Sequence, residues 1–256
     1  MNNQSENLMV LDLEALASNL DYTKHLAGPE KRVIASIKAN AYGHDVSLIA
    51  CALHKKRVDM LATGNIDDAR ILRACGVDTP LLLFAYATAE NTVDAAKEGF
   101  ISTIPNLTSA ISLDAITSVP IPVYLKIDCG LGRLGAPLNI AKDFVTKVYQ
   151  LKNLKVEGIY THVPFPDVAS SPWAQDKLNQ FDEFIQGLES DGYSIPVTQA
   201  MGSCCVLAGL HDTSNAICVG HSLYGLSPFS SKQAPTCLLY TSPSPRDLST
   251  SRMPSS

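Results

Sequence analysis

Hydrophobic positions along the chain alternate between two rhythms. Leu13, Leu16, Ala17 and Leu20 recur at the spacing of one helix face, and Val33–Lys38 (VIASIK) follows as a short apolar, β-branched run. Val46, Ile49, Ala50 and Leu53 mark a second helix, and DMLAT a second strand. A helical stretch from Ile66 to Ala74 stops at Gly76, where a helix-ending glycine belongs, and PLLLF (Pro80–Phe84) comes next. The helix Ala89–Lys97 is closed by Gly99 and leads to FISTI; a helix near Thr108–Ile116 leads to PVYLKID (Pro122–Asp128). Leu138, Ala141, Val145 and Val148 mark a further helix, VEGIYTH (Val156–His162) a strand, and Phe181, Phe184, Ile185 and Leu188 a strongly amphipathic helix. Ile195–Thr198 and Ala216–Val219 are the last strand candidates.

Eight strands alternating with helical or connecting segments predict βαβ units and a parallel sheet, closed as a (β/α)8 TIM-like barrel. An open doubly wound sheet is the competing architecture, but no G-x-G-x-x-G follows the first strand. The pattern stops after about Ser227. The barrel is expected over 9–228, and the Ser/Pro-rich 229–256 as a linker, a disordered tail, or translated adaptor or out-of-frame sequence.

Composition narrows the class. The 256 residues suit one such barrel, and 46% apolar with 18% charged residues supply a large core. A net charge of −5 and a pI of 5.6 leave no electrostatic footprint for nucleic acid. Seven cysteines without a C-x-x-C argue against a disulfide framework or a zinc ribbon and for free thiols in a reducing compartment. The N-terminal MNNQSENLMVLDLE has neither a basic nor an apolar signal region, and the run Leu81–Ala87 is too short to span a bilayer. A cytoplasmic protein is expected. Asp67-Asp68, Asp128 and Asp182-Glu183 lack metal-ligand spacing, so no metal is expected; Cys204-Cys205 reads as two small residues opening a helix.

In such a barrel the chemistry lies where strands end. Lys38, Asn40, Tyr42, Gly43 and His44 follow the first strand, CGLGRLG with Arg133 the fifth, His162 the sixth, Gly202-Ser203 the seventh and Gly220-His221 the eighth. Taken singly, each has an ordinary reading: a surface cation, a core histidine, a tight loop, a turn. Together they are a lysine and backbone-exposing loops after the last two strands, where barrels hold phosphate. A lysine desolvated at a strand end has a lowered pKa and forms a Schiff base with an aldehyde. A phosphorylated aldehyde cofactor fits that set, and pyridoxal 5′-phosphate (PLP) is the one whose protein chemistry this is.

At these residues the sequence resembles the alanine racemase family. IKANAYGHD (Ile37–Asp45) is similar to its cofactor-lysine signature, and YLKIDCGLGRLG (Tyr124–Gly135), GIYTH (Gly158–His162) and VGHSLYGLSP (Val219–Pro228) resemble further blocks in the same order. The resemblance covers roughly Met9 to Pro228 and implies a PLP-binding barrel. Lys38 would carry the cofactor and serve as one of two bases. Tyr42 would line the phosphate side, Arg133 the phenolic-oxygen side, and His162 the ring. Ser203 and the amides of Gly220 and His221 would hold the phosphate. The implied reaction interconverts L- and D-alanine by removing the α-proton on one face and returning it on the other. A homodimer is implied for the full-length protein. Cys218 stands where the family places an arginine facing the ring nitrogen, so the cofactor is expected to be held less firmly. The family's second, β-rich domain, source of the opposing tyrosine base, is expected to be missing from this chain. The alternatives are a non-catalytic PLP-binding barrel, or a PLP racemase or decarboxylase for another amino acid.

Overall fold

The computed structural model describes residues 10–84, 88–227 and 229. Eight strands form the barrel wall: β1 Arg32–Ser36, β2 Met60–Thr63, β3 Leu81–Leu83, β4 Ile101–Ile104, β5 Ile121–Asp128, β6 Leu154–Tyr160, β7 Val197–Gln199 and β8 Ala216–Val219. Every neighbouring pair is parallel, and β8 returns to β1 through pairs such as Ile34 with Cys218, which closes the sheet. A two-residue piece, Ala136–Pro137, adds a short pairing to the end of β5. The expected (β/α)8 barrel is therefore the fold, and the open sheet is not.

Eight helices surround the wall: α1 Leu13–Ala27, α2 Val46–Lys55, α3 Ile66–Ala74, α4 Ala89–Lys97, α5 Leu107–Ile116, α6 Leu138–Tyr149, α7 Ser171–Ser190 and α8 Ser203–Leu207. Side-chain caps start several of them: Asp12 accepts from Glu14 and Ala15, Asp45 from Ser47 and Leu48, and Asn106 from Ser109. Cys204 and Cys205 do sit in the opening turn of α8. No helix among the described residues is long and apolar enough to cross a membrane.

The strand period of two sorts the side chains into two cores. One face, with Val33, Ala35, Leu61 and Leu125, packs outward against the helices; the other, with Ile34, Ala62, Tyr124 and Tyr160, fills the barrel. Gly158 lies opposite Tyr124 in the β5–β6 register, and a Cβ on it would stand 2.7 Å from the ring, so only glycine admits Tyr124 there. Pro80, Pro122 and Pro196 stand at the starts of β3, β5 and β7, where proline disturbs a strand least.

The seam between β1 and β8 is fastened below the sheet. Lys31 Nζ donates to Asp212 Oδ1 (2.5 Å), the Ser214 carbonyl (2.6 Å) and the Asp212 carbonyl (3.1 Å). Asp182, on the buried face of α7, accepts the Thr213 amide at 2.9 Å. Of the expected tail, Phe229 is buried with its ring 5.5 Å from that of Phe165. The rest of that segment lies outside the described residues.

Candidate functional site

The inward rows change from apolar to polar as they rise to the C-terminal mouth. On β1 the row runs Ile34, Ser36 and then Lys38; on β5, Tyr124 and Lys126; on β6, Tyr160 and then His162; on β8, Ala216, Cys218 and then Gly220. Above the apolar layer they enclose a cavity of about 360 Å³. All eight residues singled out from sequence line it: Lys38, Tyr42, Arg133, His162, Ser203, Cys218, Gly220 and His221.

Lys38 is delivered by an unusual turn. After β1 the chain enters Lys38–Gly43, in which Ala39, Asn40, Ala41 and Tyr42 are all left-handed, with φ of 53, 53, 52 and 57°. An L-residue in that region costs roughly 1–2 kcal/mol, so the turn stands only because its surroundings hold it. The Ala41 amide donates to the Ile37 carbonyl (2.9 Å), and Asn40 Oδ1 accepts the Val46 amide (2.8 Å). Aromatic packing does the rest. The Tyr42 ring lies 4.8 Å from Tyr224 and 5.5 Å from His221, and His44 stacks on Tyr224 at 5.0 Å. Tyr224 donates its hydroxyl proton to the Ser36 carbonyl at 3.1 Å. A Cβ on Gly220 would collide with Tyr42 Oη, so glycine is required there for Tyr42 to reach across. Lys38 Nζ sits 5.7 Å from the Tyr42 ring centre.

Ser203 opens α8 beneath the β8 loop. Its Oγ accepts from the Gly220 amide (3.1 Å) and the Ser222 amide (3.2 Å) and lies 3.2 Å from Ser222 Oγ. This cluster of buried amides and hydroxyls matches the donor set that a phosphate needs. The glycine loop after β5 is different. Asp128 gathers its amides, Oδ1 from Gly130 (2.9 Å) and Leu131 (2.8 Å), Oδ2 from Gly132 (2.8 Å). The loop is thus a tight turn around a carboxylate, and its product is the placement of Arg133 at the cavity mouth.

Sequence reading assigned the desolvated lysine to Lys38. The structure puts Lys38 at the open rim, and the buried amine is Lys126, at 5% exposure. Burial lowers the Lys126 pKa to about 8. Its Nζ donates to the Ile127 carbonyl (3.1 Å) and lies 4.8 Å from the Tyr160 ring centre. The signal that would have found it is its two-residue spacing from Tyr124 on the inward row. Tyr160 forms the cavity floor, its hydroxyl 2.9 Å from Thr103 Oγ1.

Burial, reinforced by Lys126, Arg133, Lys38 and His221, pushes His162 down to about 4, so its ring is neutral at physiological pH. Burial pushes the Cys218 thiol up to about 12, so it too is neutral, although part of its surface is open to the cavity. Three cationic side chains, Lys38, Lys126 and Arg133, and no carboxylate line the cavity among the described residues. Such a lining selects an anion.

Residues 11–228 match the family model described as alanine racemase, N-terminal domain. An alanine racemase of Methanococcus maripaludis is 30% identical over 222 residues, which are 85% of this chain and 60% of that protein. One from Desulfosudis oleivorans is 30% identical over 230 residues, covering 85% of this chain and 59% of its own. Among solved structures, an alanine racemase of Clostridium difficile superposes with a TM-score of 0.84 at 25% identity, over 91% of this chain and 65% of that one. The chain therefore spans about 60% of the length of the curated relatives it matches.

Proposed function

The chain belongs to the alanine racemase N-terminal domain family, and from that premise we propose that it is the PLP-binding barrel of an amino acid racemase acting on alanine in the cytoplasm. The observation that carries this reading is a single cavity that joins a lysine, a buried serine–amide cluster and further cations with no acid. That donor set fits a phosphorylated aldehyde. Lys38 would bond the aldehyde carbon, and Ser203 with the Gly220, His221 and Ser222 amides would hold the phosphate. Bound there, PLP would supply a conjugated ring that delocalises the electron pair left when an amino acid loses its α-proton.

The protein's own groups do the remainder. Lys38 Nζ takes and returns a proton on one face of the substrate, and Tyr42 braces it and lines the phosphate side. His162, neutral at pH 7, presents a flat ring without repelling a cationic partner. Arg133 and Lys126 provide the positive field for the anionic oxygens. Cys218 offers a neutral thiol where the resemblance places an arginine, so β8 contributes no cation to that side. A two-base exchange needs a second base on the opposite face; the resemblance puts it on the family's second domain and in the partner of a homodimer, beyond the residues matched here.

Borohydride reduction of the PLP-treated protein, followed by peptide mapping, should place the pyridoxyl group on Lys38 and lose it in Lys38→Ala. Lys126, the buried amine of the same cavity, is the internal competitor. Label on Lys126 in the unsubstituted protein would overturn the assignment.

A further inference from the structure

A second cavity, of about 330 Å³, opens at the other end of the barrel. Its walls are apolar, with Ile34 and Val197 among them, and the Tyr124 ring closes its inner end. Arg32, Asp59 and Glu157 stand around its mouth. The two acids already have partners: Asp59 Oδ2 accepts the Val33 amide at 2.8 Å, and Glu157 Oε1 pairs with Lys155 at 2.5 Å. Among the described residues, neither the Arg32 guanidinium nor the Tyr124 hydroxyl has a hydrogen-bond or ion-pair partner, although Tyr124 is only 1% exposed. The Tyr124 hydroxyl opens into the cavity, where it is free to donate to a bound molecule. Burial, opposed by Arg32 and assisted by Glu157, pushes its pKa up to about 12, so it is present as a donor.

We infer that this N-terminal cavity is a binding site for a small apolar carboxylate, its hydrocarbon body inside the barrel and its charge on Arg32, with the Tyr124 hydroxyl as second donor. An apolar slot with few convergent polar groups is the usual form of a small-molecule site. A guanidinium engages a carboxylate through two parallel hydrogen bonds, which a neutral alcohol cannot reproduce. Barrel enzymes keep their chemistry at the opposite face, so the ligand here is bound and not transformed. The two cavities are separated by the layer in which Tyr124 and Tyr160 sit with ring centres 6.4 Å apart.

The test is calorimetric titration of the full chain with hexanoate and with 1-hexanol, with amide shift mapping by NMR. Because the C-terminal cavity also attracts anions, each titration is repeated in Arg133→Gln. Hexanoate should bind at least about tenfold more tightly than hexanol, with shifts clustered at Arg32, Tyr124 and Val197. Arg32→Gln should erase that preference, Arg32→Lys should restore part of it, and Tyr124→Phe should weaken hexanoate by about threefold. Arg133→Gln should leave these values unchanged. Arg32 is at the exposed start of β1, so its variants keep the fold, which circular dichroism verifies. Equal affinity for acid and alcohol, a preference that survives Arg32→Gln, or one that vanishes in Arg133→Gln would each overturn the inference.

Discussion

Lys126, at the C-terminal end of the barrel, and Lys31, beneath its N-terminal rim, are the same residue in opposite circumstances. Lys31 directs its ammonium protons at Asp212 and Ser214, and in doing so pins β8 to β1. Lys126 is buried, donates to one carbonyl, and faces Arg133 inside the same cavity. The C-terminal end repeats that choice elsewhere, with four left-handed residues and a glycine pressed against Tyr42. The lower end has a paired seam and strand-starting prolines. Stability is concentrated where no chemistry is proposed, and strain where it is.

The largest effects should come from replacing each lysine by methionine. The folded-state pKa of Lys126 is depressed from 10.5 to about 8. Between those values the unfolded chain holds a proton that the native protein does not, so native stability climbs as pH rises through that window. Below it the charged lysine burdens the fold by roughly 3 kcal/mol at about 1.4 kcal/mol per pKa unit. Lys126→Met should recover much of that near pH 7 and abolish the alkaline rise. Lys31→Met should do the reverse, costing about 3 kcal/mol at pH 7 by leaving the Asp212 carboxylate buried and unpaired. Burial already holds Asp212 above its usual range, so the loss should shrink toward pH 4 as it takes up a proton. Urea unfolding at pH 4.5, 7 and 9 reads both; shifts of equal sign would erase the contrast between the two ends.

Next are two glycines. Gly158→Ala would drive a methyl group into the ring of buried Tyr124 and force it out of its place between the strands, at a cost of about 1–3 kcal/mol. Gly220→Ala meets half-buried Tyr42, which can swing outward. That variant should keep more of its stability and lose PLP retention by about tenfold or more, as measured by absorbance after gel filtration. Equal stability losses without a binding defect would show that Tyr42 is not held in place by Gly220.

The smallest effect has the most telling sign. Ala39→Gly should stabilise the protein by up to about 1 kcal/mol, because glycine enters the left-handed region freely. Ala52→Gly, in the ordinary helix α2, should destabilise it by about as much. Thermal melts of the two variants moving in the same direction would contradict the left-handed turn.

The strands were legible because an apolar, β-branched run bounded by helical spacing has few other readings. Their ends were less so: Lys38 and His162 were included in strands that stop at Ser36 and Tyr160. The site residues were legible as strand-end chemistry, since a parallel barrel gathers every strand end at one mouth. The left-handed turn was not, because KANAYG holds a single glycine and nothing local favours four such residues in succession. The burial of Lys126 was not legible, because a lysine in PVYLKID looks like a strand edge until the barrel closes around it. Lys31 and Asp212 had no signal, being brought together only by the β1–β8 seam.

The left-handed turn also governs when Lys38 comes into position as the chain folds. Isolated, residues 39–42 rarely visit the conformation they hold natively, so they cannot nucleate anything. Two local hydrogen bonds hold them in part, and the support is completed by Tyr224 and the Gly220 loop, which follow the last strand. The turn can therefore set only after β8 has paired with β1. Substitutions within it belong to the class that alters the rate of unfolding and leaves the rate of folding nearly untouched. During synthesis, the lysine emerges early from the ribosome but reaches its place last, once the whole barrel stands around it.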